Sequence, residues 1–182
     1  MFRTAFVYGA ISGSVIIGVI LLGLTLTGGH HGNGGGGIFS SEWFGYLVMI
    51  LALSTIFLAI RDYRNKKLGG VIKFLPAFGM GLLIALIAGL AYVLAWEIYL
   101  AATGYVFMDN YVAHMIDAKR AAGVAGAELD AYVAQLNQMK DAYANPLLRL
   151  PMTFAEIFPV GLLIALISAA VLRNPKVLPA RA

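Results

Sequence analysis

Two carboxylates lie inside otherwise apolar stretches of the sequence, and they are the leading candidates for chemistry. Glu97 falls near the end of one apolar run and Glu156 near the start of another. A charge at bilayer depth costs at least a few kcal/mol unless it is paired or protonated, so such residues often mark ion or proton sites. Two carboxylates at one level could hold a single proton or cation between them, with the pKa of the pair raised. Glu97 and Glu156 are therefore a candidate ion or proton site.

The alternative is that both carboxylates are anchors at the membrane boundary. Arg149 stands seven residues before Glu156, which is two helical turns along the same face, and this spacing predicts a pair between them. Trp96 and Tyr99 beside Glu97 are typical of the aromatic belt at a membrane interface. Both interpretations fit the sequence.

The sequence contains no motif or ligand spacing that is specific for a metal site, a cofactor site or a catalytic site. His114 and Asp117 are one helical turn apart with Asn110 on the same face, and His30 and His31 could join them, but such spacing is common by chance. The chain has no cysteine, and its histidines lie outside the apolar runs, which excludes thiolate ligands and a buried bis-histidine haem. It also contains no Gly-x-Ser-x-Gly or His-Glu-x-x-His motif. We predict no catalytic residue, no metal and no cofactor, and a protein that is not an enzyme.

The elements that must position these residues are membrane helices. The chain is 60% hydrophobic and 12% charged, against about 25% charged in soluble domains. Each of four apolar runs is long enough to cross a bilayer, which takes roughly 17 to 25 residues in a helix. The runs are Ala5 to Leu26, Phe44 to Ile60, Leu75 to Leu100 and Met152 to Leu172. The sequence predicts an all-α polytopic membrane protein, with residues 1–182 forming a single domain of four transmembrane helices.

Basic residues are distributed unevenly among the segments that connect the four predicted spans. The second connection is rich in cations, which are Arg61, Arg64, Lys66, Lys67 and Lys73. Arg3 and the tail add more on the same side, whereas Lys119, Arg120, Lys140 and Arg149 lie on the other. The positive-inside rule then predicts that both termini and the basic loop formed by Arg61, Arg64, Lys66 and Lys67 face the cytoplasm, near anionic lipid headgroups. The segregation indicates orientation in a lipid bilayer and no nucleic-acid binding.

The 101–150 segment between spans 3 and 4 is the only sizeable polar region. Apolar residues recur at helical spacing around Tyr111 and again around Leu136, separated by Gly123 and Gly126. We predict an outer helical hairpin whose facing stripes pack together. Asn145 and Pro146 are predicted to end its second helix.

Small residues in the first span suggest a close helix contact. Gly9 and Gly13 form a Gly-x-x-x-Gly motif, which lets two backbones approach. The partner could be a second copy of the chain or another span of the same chain, and the motif leaves both open. The glycine-rich 28–37 segment that follows is predicted to be a linker and no phosphate-binding loop, because no Lys-Ser or Lys-Thr follows it.

The sequence resembles a bacterial four-span family known as domain of unknown function 4199. The most specific part of the resemblance is the run from Glu156 to Leu162, with Glu-Ile-Phe-Pro-Val-Gly-Leu. Weaker parts are Tyr8-Gly9, the Phe57 to Arg64 stretch, and Trp96 to Tyr99. The resemblance implies a multi-pass protein of the bacterial inner membrane, with no assigned activity.

Two functions remain open. The first is a non-enzymatic structural or accessory component that contacts a membrane-protein partner or a second copy through its outer hairpin or its small-residue face. The second is a small oligomeric transporter or channel that couples cations or protons through Glu97 and Glu156. Four spans leave little room for a pathway in one protomer, so transport would require an oligomer.

Overall fold

A computed structural model describes residues 1–26 and 42–179. These residues form seven helices, which are α1 (Phe2–Leu26), α2 (Glu42–Leu53), α3 (Thr55–Lys67), α4 (Phe74–Ala102), α5 (Phe107–Ala121), α6 (Ala127–Ala144) and α7 (Pro146–Leu172). They contain no strand. The predicted all-α class is confirmed. His30, His31 and the glycine-rich linker lie outside the described residues.

Four segments are long and apolar enough to cross a membrane within the described ranges. They are Phe2–Val19, Gly45–Lys67, Phe74–Ala102 and Pro146–Leu172. The predicted number of spans is confirmed, but several predicted boundaries differ. The first span begins at Phe2, three residues before Ala5. The second span continues past Ile60 to Lys67, and the fourth begins six residues before Met152. Helix α3 continues through polar residues until Gly69, and α7 begins at Pro146, which fits the first turn of a helix. Pro151 lies inside α7 and does not end it.

The second span consists of two helices that meet at Ser54. The Ser54 hydroxyl donates to the carbonyl of Ile50 at 2.7 Å, and the Thr55 hydroxyl donates to the carbonyl of Ala52 at 2.8 Å. Such bonds back to the preceding turn bend a helix. Ser12 of α1, which is fully buried, lies 2.5 Å from the Thr55 hydroxyl oxygen. A polar contact therefore joins α1 to the second span at the bend.

Helix α4 is the centre of the bundle and packs between α1 and α7. Gly81 and Gly161 mark its contact with α7. A Cβ at residue 81 would lie 2.8 Å from the Ala165 Cβ, and one at residue 161 would lie 2.7 Å from the Ala85 Cβ. The two backbones can approach this closely only because both positions lack a side chain.

Gly9 and Gly13 lie against α4 of the same chain. A Cβ at residue 9 would be 2.8 Å from the Ile87 Cβ, and one at residue 13 would be 2.8 Å from the Ala91 Cβ. Of the two contacts that the motif left open, the structure places these glycines in the one within the chain. The motif brings α1 onto α4.

The predicted hairpin is present as α5 and α6. The turn between them contains Gly123 (φ 84°) and Gly126 (φ 63°), and the left-handed backbone of both suits glycine. Val112 and Leu136 are the buried residues of the two helices. Lys140 of α6 forms an ion pair with Asp109 of α5, and this hydrogen bond raises the pKa of Lys140 above its ordinary value. The two apolar stripes therefore form a packed face.

Replacing Leu136 with Asp should unfold this hairpin. The side chain is 6% exposed, so an aspartate there loses the apolar burial and carries an unpaired charge, at a cost of at least about 3 kcal/mol. The yield of monodisperse protein in detergent and the rate of proteolysis between α5 and α6 would measure the change. Gln135→Asp is the matched control because Gln135 is exposed. Equal tolerance of the two variants would show that Leu136 does not pack.

Candidate functional site

A bidentate ion pair joins α4 to the first turn of α7. The Arg149 guanidinium donates from Nε to Glu97 Oε1 at 2.6 Å and from Nη2 to Glu97 Oε2 at 2.6 Å. The side chains are 4% and 22% exposed, respectively. A bidentate pair of this kind is geometrically specific, and removing one partner would leave an unpaired charge in a poorly hydrated place.

Arg149 also closes the end of α6. Its Nη1 donates to the carbonyl of Tyr143 at 3.1 Å and of Ala144 at 3.5 Å. The guanidinium lies over the ring of Tyr105 with 5.2 Å to the centroid and over that of Tyr143 with 5.7 Å. A cation beside the last carbonyls of a helix stabilises that end, and the aromatic faces add cation–π attraction. One side chain thus connects α4, α6 and α7.

Aromatic residues surround this ion pair. The Trp96 Nε1 donates to the Tyr143 hydroxyl at 2.7 Å. Phe107 of α5 meets the Trp96 ring edge-on, with centroids 5.0 Å apart. Burial raises the pKa of Tyr143 above its ordinary value, so the hydroxyl stays neutral. Both helices of the hairpin are therefore fixed to the end of α4. We call Trp96, Glu97, Tyr105, Tyr143 and Arg149 the hairpin anchor.

The local sequence explains why Arg149 reaches this place. The Asn145 side chain caps α7 by accepting from the amide of Leu147 at 3.0 Å, and Pro146 occupies the first turn. The helix therefore starts before Arg149 and fixes its direction toward α4. The predicted pair of Arg149 with Glu156 is wrong, because rotation about the axis of α7 turns the guanidinium toward Glu97.

Glu156 occupies a different environment. It accepts a hydrogen bond from the Tyr92 hydroxyl at 3.4 Å, and its residue is exposed on the surface of the bundle. Pro159 lies three residues further along α7. The two carboxylates of the candidate ion or proton site thus have separate partners, an arginine for Glu97 and a tyrosine hydroxyl for Glu156.

The predicted basic loop is part of a helix. Arg61, Arg64, Lys66 and Lys67 all lie in the last turns of α3, which ends at Lys67. Gly69 (φ 63°) and Gly70 (φ 91°) follow the C-cap residue Leu68. The prediction of a loop at these four residues is wrong. A helix continues through them because lysine and arginine are good helix formers that favour a helix C-terminus.

Arg64 is fully buried within this cluster, and no pattern in the sequence predicts its burial. Its Nη1 donates to the carbonyls of Leu172 at 3.2 Å and Val177 at 3.0 Å, and its Nη2 donates to that of Leu178 at 2.5 Å. Its Nε donates to Asn65 Oδ1 at 2.8 Å. Carbonyls at the end of α7 carry a partial negative charge, which favours a cation there. Arg64 therefore holds the segment after α7 against α3.

The other candidate ligands are not brought together. Within residues 1–26 and 42–179, no group of three or more His, Asp or Glu side chains could hold a metal ion. Asp117 instead accepts from Arg120 at 3.3 Å, and this pair is exposed. On the far side of the bundle, Asp62 accepts from Lys66 at 2.7 Å and from Tyr8 at 3.3 Å.

Comparison with known proteins gives a family and no activity. No curated protein and no solved structure matches the chain significantly. The family model described as "Protein of unknown function (DUF4199)" matches residues 7–174. That match includes all of α2 to α7, the hairpin anchor and Arg64. The chain, with its four candidate membrane-spanning segments, therefore belongs to the DUF4199 family.

Proposed function

We propose that the protein is a non-enzymatic structural or accessory component of the membrane, which contacts a partner through the hairpin of α5 and α6. The hairpin anchor is the observation that carries this proposal. A buried bidentate ion pair, a capped helix end and a Trp–Tyr hydrogen bond hold the hairpin in one orientation. Rigid attachment of this kind pre-organises a surface for binding, which lowers the entropy lost on association.

The exposed side of α6 is the surface that we expect a partner to contact. Asn137 and Gln138 are exposed there, whereas Leu136 faces the hairpin interior. Uncharged amides of this kind can donate and accept hydrogen bonds across an interface without the desolvation cost of a full charge. The partner is either another membrane protein or a second copy of the chain.

Site-specific photocrosslinking in native membranes would test this proposal. A photoreactive residue at Asn137 should give one discrete adduct, identified by mass spectrometry as another protein or a second copy. The control is the same residue at Leu163 of α7, which is 58% exposed and lies on an apolar helix. An Asn137 pattern identical to the Leu163 pattern, or no adduct at all, would contradict a partner on the hairpin.

The second candidate function is cation or proton coupling in an oligomer. The observation that favours it is Glu156, a carboxylate within a spanning helix whose partner is a tyrosine hydroxyl. Because Arg149 already compensates Glu97, this function would depend chiefly on Glu156. Flux measured in proteoliposomes across a range of pH would decide between the candidates. Loss of pH-dependent flux in Glu156→Gln would favour transport, and absence of flux in the wild type would favour the accessory role.

We further propose that the protein resides in a bacterial inner membrane, as its family resemblance implies, with both termini cytoplasmic, as its charge distribution predicts. Single cysteines at Lys67 and Gln135 test the orientation, since both positions are exposed and lie at opposite ends of the bundle. In intact cells, a membrane-impermeant thiol reagent should label Gln135→Cys and leave Lys67→Cys unlabelled until the cells are lysed. The reverse pattern would invert the topology.

A further inference from the structure

One end of the bundle carries a large excess of positive charge. This end comprises the starts of α1 and α4 and the ends of α3 and α7. Its cations within the described residues are Arg3, Arg61, Arg64, Lys66, Lys67, Lys73, Arg173 and Lys176. Asp62 is the acid at this end, and Lys66 and Tyr8 already hold it. Arg61 also lies near enough to attract Asp62. Eight cations thus share one carboxylate at this end, among the residues that the structure describes.

Arg61 has a buried donor atom, Nε, without a hydrogen-bond partner among the described residues. Buried donors are almost always paired, because an unpaired one loses its hydration without compensation. The residue as a whole is only partly buried, so an acceptor can approach the guanidinium from the surface of the bundle.

A second guanidinium on the same face makes that acceptor an anion. Arg61 and Arg64 are three residues apart on α3, so their side chains emerge from one side of the helix. Arg64 uses its donors on backbone carbonyls and on Asn65, all of them uncharged groups. Two like charges one turn apart repel each other, and the single Asp62 carboxylate is shared with Lys66. A further anion would relieve this repulsion, and the oxygens of a phosphate match an arginine fork.

The surroundings of Arg61 suit a lipid phosphate. Leu58 lies one turn before Arg61 on α3 and is 47% exposed. Leu68, Val71 and Leu75, which follow the cluster, are 41%, 58% and 75% exposed. A basic residue next to exposed apolar side chains at the end of a spanning helix can contact a headgroup and an acyl chain together.

We propose that Arg61, with Arg64 behind it and Leu58 beside it, forms a binding site for the phosphate of an anionic phospholipid. Arg61 supplies the donors that contact the phosphate, and Arg64 adds positive charge while it holds the end of α7. Leu58 contacts the first part of an acyl chain.

Native mass spectrometry of the full chain in a mild detergent tests this site. The protein is titrated with phosphatidylglycerol and, separately, with phosphatidylcholine, and the fraction that carries one lipid is measured. The wild type should retain phosphatidylglycerol in preference to phosphatidylcholine. Arg61→Gln should weaken phosphatidylglycerol binding about tenfold, as expected for the loss of one charge-assisted contact.

Arg173→Gln is the matched control, because it removes the same charge from an exposed residue at the same end of the bundle. We expect this variant to bind phosphatidylglycerol like the wild type. Equal losses in Arg61→Gln and Arg173→Gln would mean that total charge alone attracts the lipid, which would overturn the site. Equal retention of the two lipids by the wild type would overturn it as well.

A conservative variant and a competition experiment complete the test. Arg61→Lys keeps the positive charge and is compatible with a helix, so it replaces Arg61→Gln in the test if that variant folds poorly. The Arg61→Lys protein should still bind less phosphatidylglycerol than Arg173→Gln does, because lysine lacks the planar fork of arginine. Inorganic phosphate is then added as a competitor. Displacement of the lipid by inorganic phosphate at similar concentration would assign the site to a soluble phosphate compound and overturn the lipid proposal.

Discussion

Arg149→Met should lower the free energy of unfolding by about 3–5 kcal/mol, because it leaves the Glu97 carboxylate without its partner in a poorly hydrated site. The same change removes the donors for the last carbonyls of α6 and the cation over Tyr105 and Tyr143. We therefore expect the hairpin to detach before the spans separate. Unfolding in mixed micelles with increasing sodium dodecyl sulfate, followed by circular dichroism and by proteolysis of the hairpin, would measure both effects.

A double-mutant cycle identifies which carboxylate Arg149 depends on. Arg149→Met and Glu97→Gln should be strongly non-additive, since the second change removes a charge that the first has left unpaired. Arg149→Met and Glu156→Gln should be nearly additive, because Glu156 has the Tyr92 hydroxyl as its partner. Arg120→Gln, which breaks an exposed pair with Asp117, should cost no more than about 1 kcal/mol. Coupling to Glu156 in place of Glu97 would refute this arrangement.

Gly81→Leu should also destabilise the bundle, through overpacking. A Cβ at residue 81 would lie 2.8 Å from the Ala165 Cβ and 3.1 Å from its Cα, so α4 and α7 would have to move apart. Overpacking of this kind costs about 1–3 kcal/mol, and separation of the helices would also loosen the Glu97 to Arg149 pair. The loss of unfolding free energy should therefore reach or exceed the upper part of that range.

Gly79→Leu is the matched control for this prediction. Gly79 lies on the same helix, but nothing lies within 4 Å of the Cβ that a substitution would add there. Its effect should stay within about 0.5 kcal/mol, as for other surface positions. If the two leucine variants unfold at the same detergent concentration, α4 and α7 do not approach each other closely at Gly81.

Segments of this protein that depend on local physical chemistry could be predicted from the sequence. The apolar runs predict four spans because a helix is the form in which a single segment satisfies its backbone hydrogen bonds in lipid. Gly123 and Gly126 predict the turn of the hairpin because they adopt positive φ at little cost. Asn145 and Pro146 predict a helix boundary because the first caps a helix and the second fits its first turn.

The partners of the charged residues could not be predicted in the same way. Helix α4 is apolar on all sides, so hydropathy fixes the depth of Glu97 along the axis and leaves its rotation about that axis undetermined. The shared depth of Glu97 and Glu156 is compatible with contact or separation. The close approach of α4 and α7 at Gly81 and Gly161 sets the rotation of both helices, and that rotation turns Arg149 toward Glu97.

Arg64 shows the same division between sequence and tertiary structure. The order of charges along the chain is enough to predict basic residues after the second apolar run. The burial of Arg64 beneath the end of α7, with Lys67 left exposed, depends on tertiary packing, because carbonyls more than 100 residues away supply the acceptors for Arg64. Spans follow from local hydropathy, whereas the ion pair, the buried arginine and the hairpin anchor follow from how the helices rotate and pack against one another.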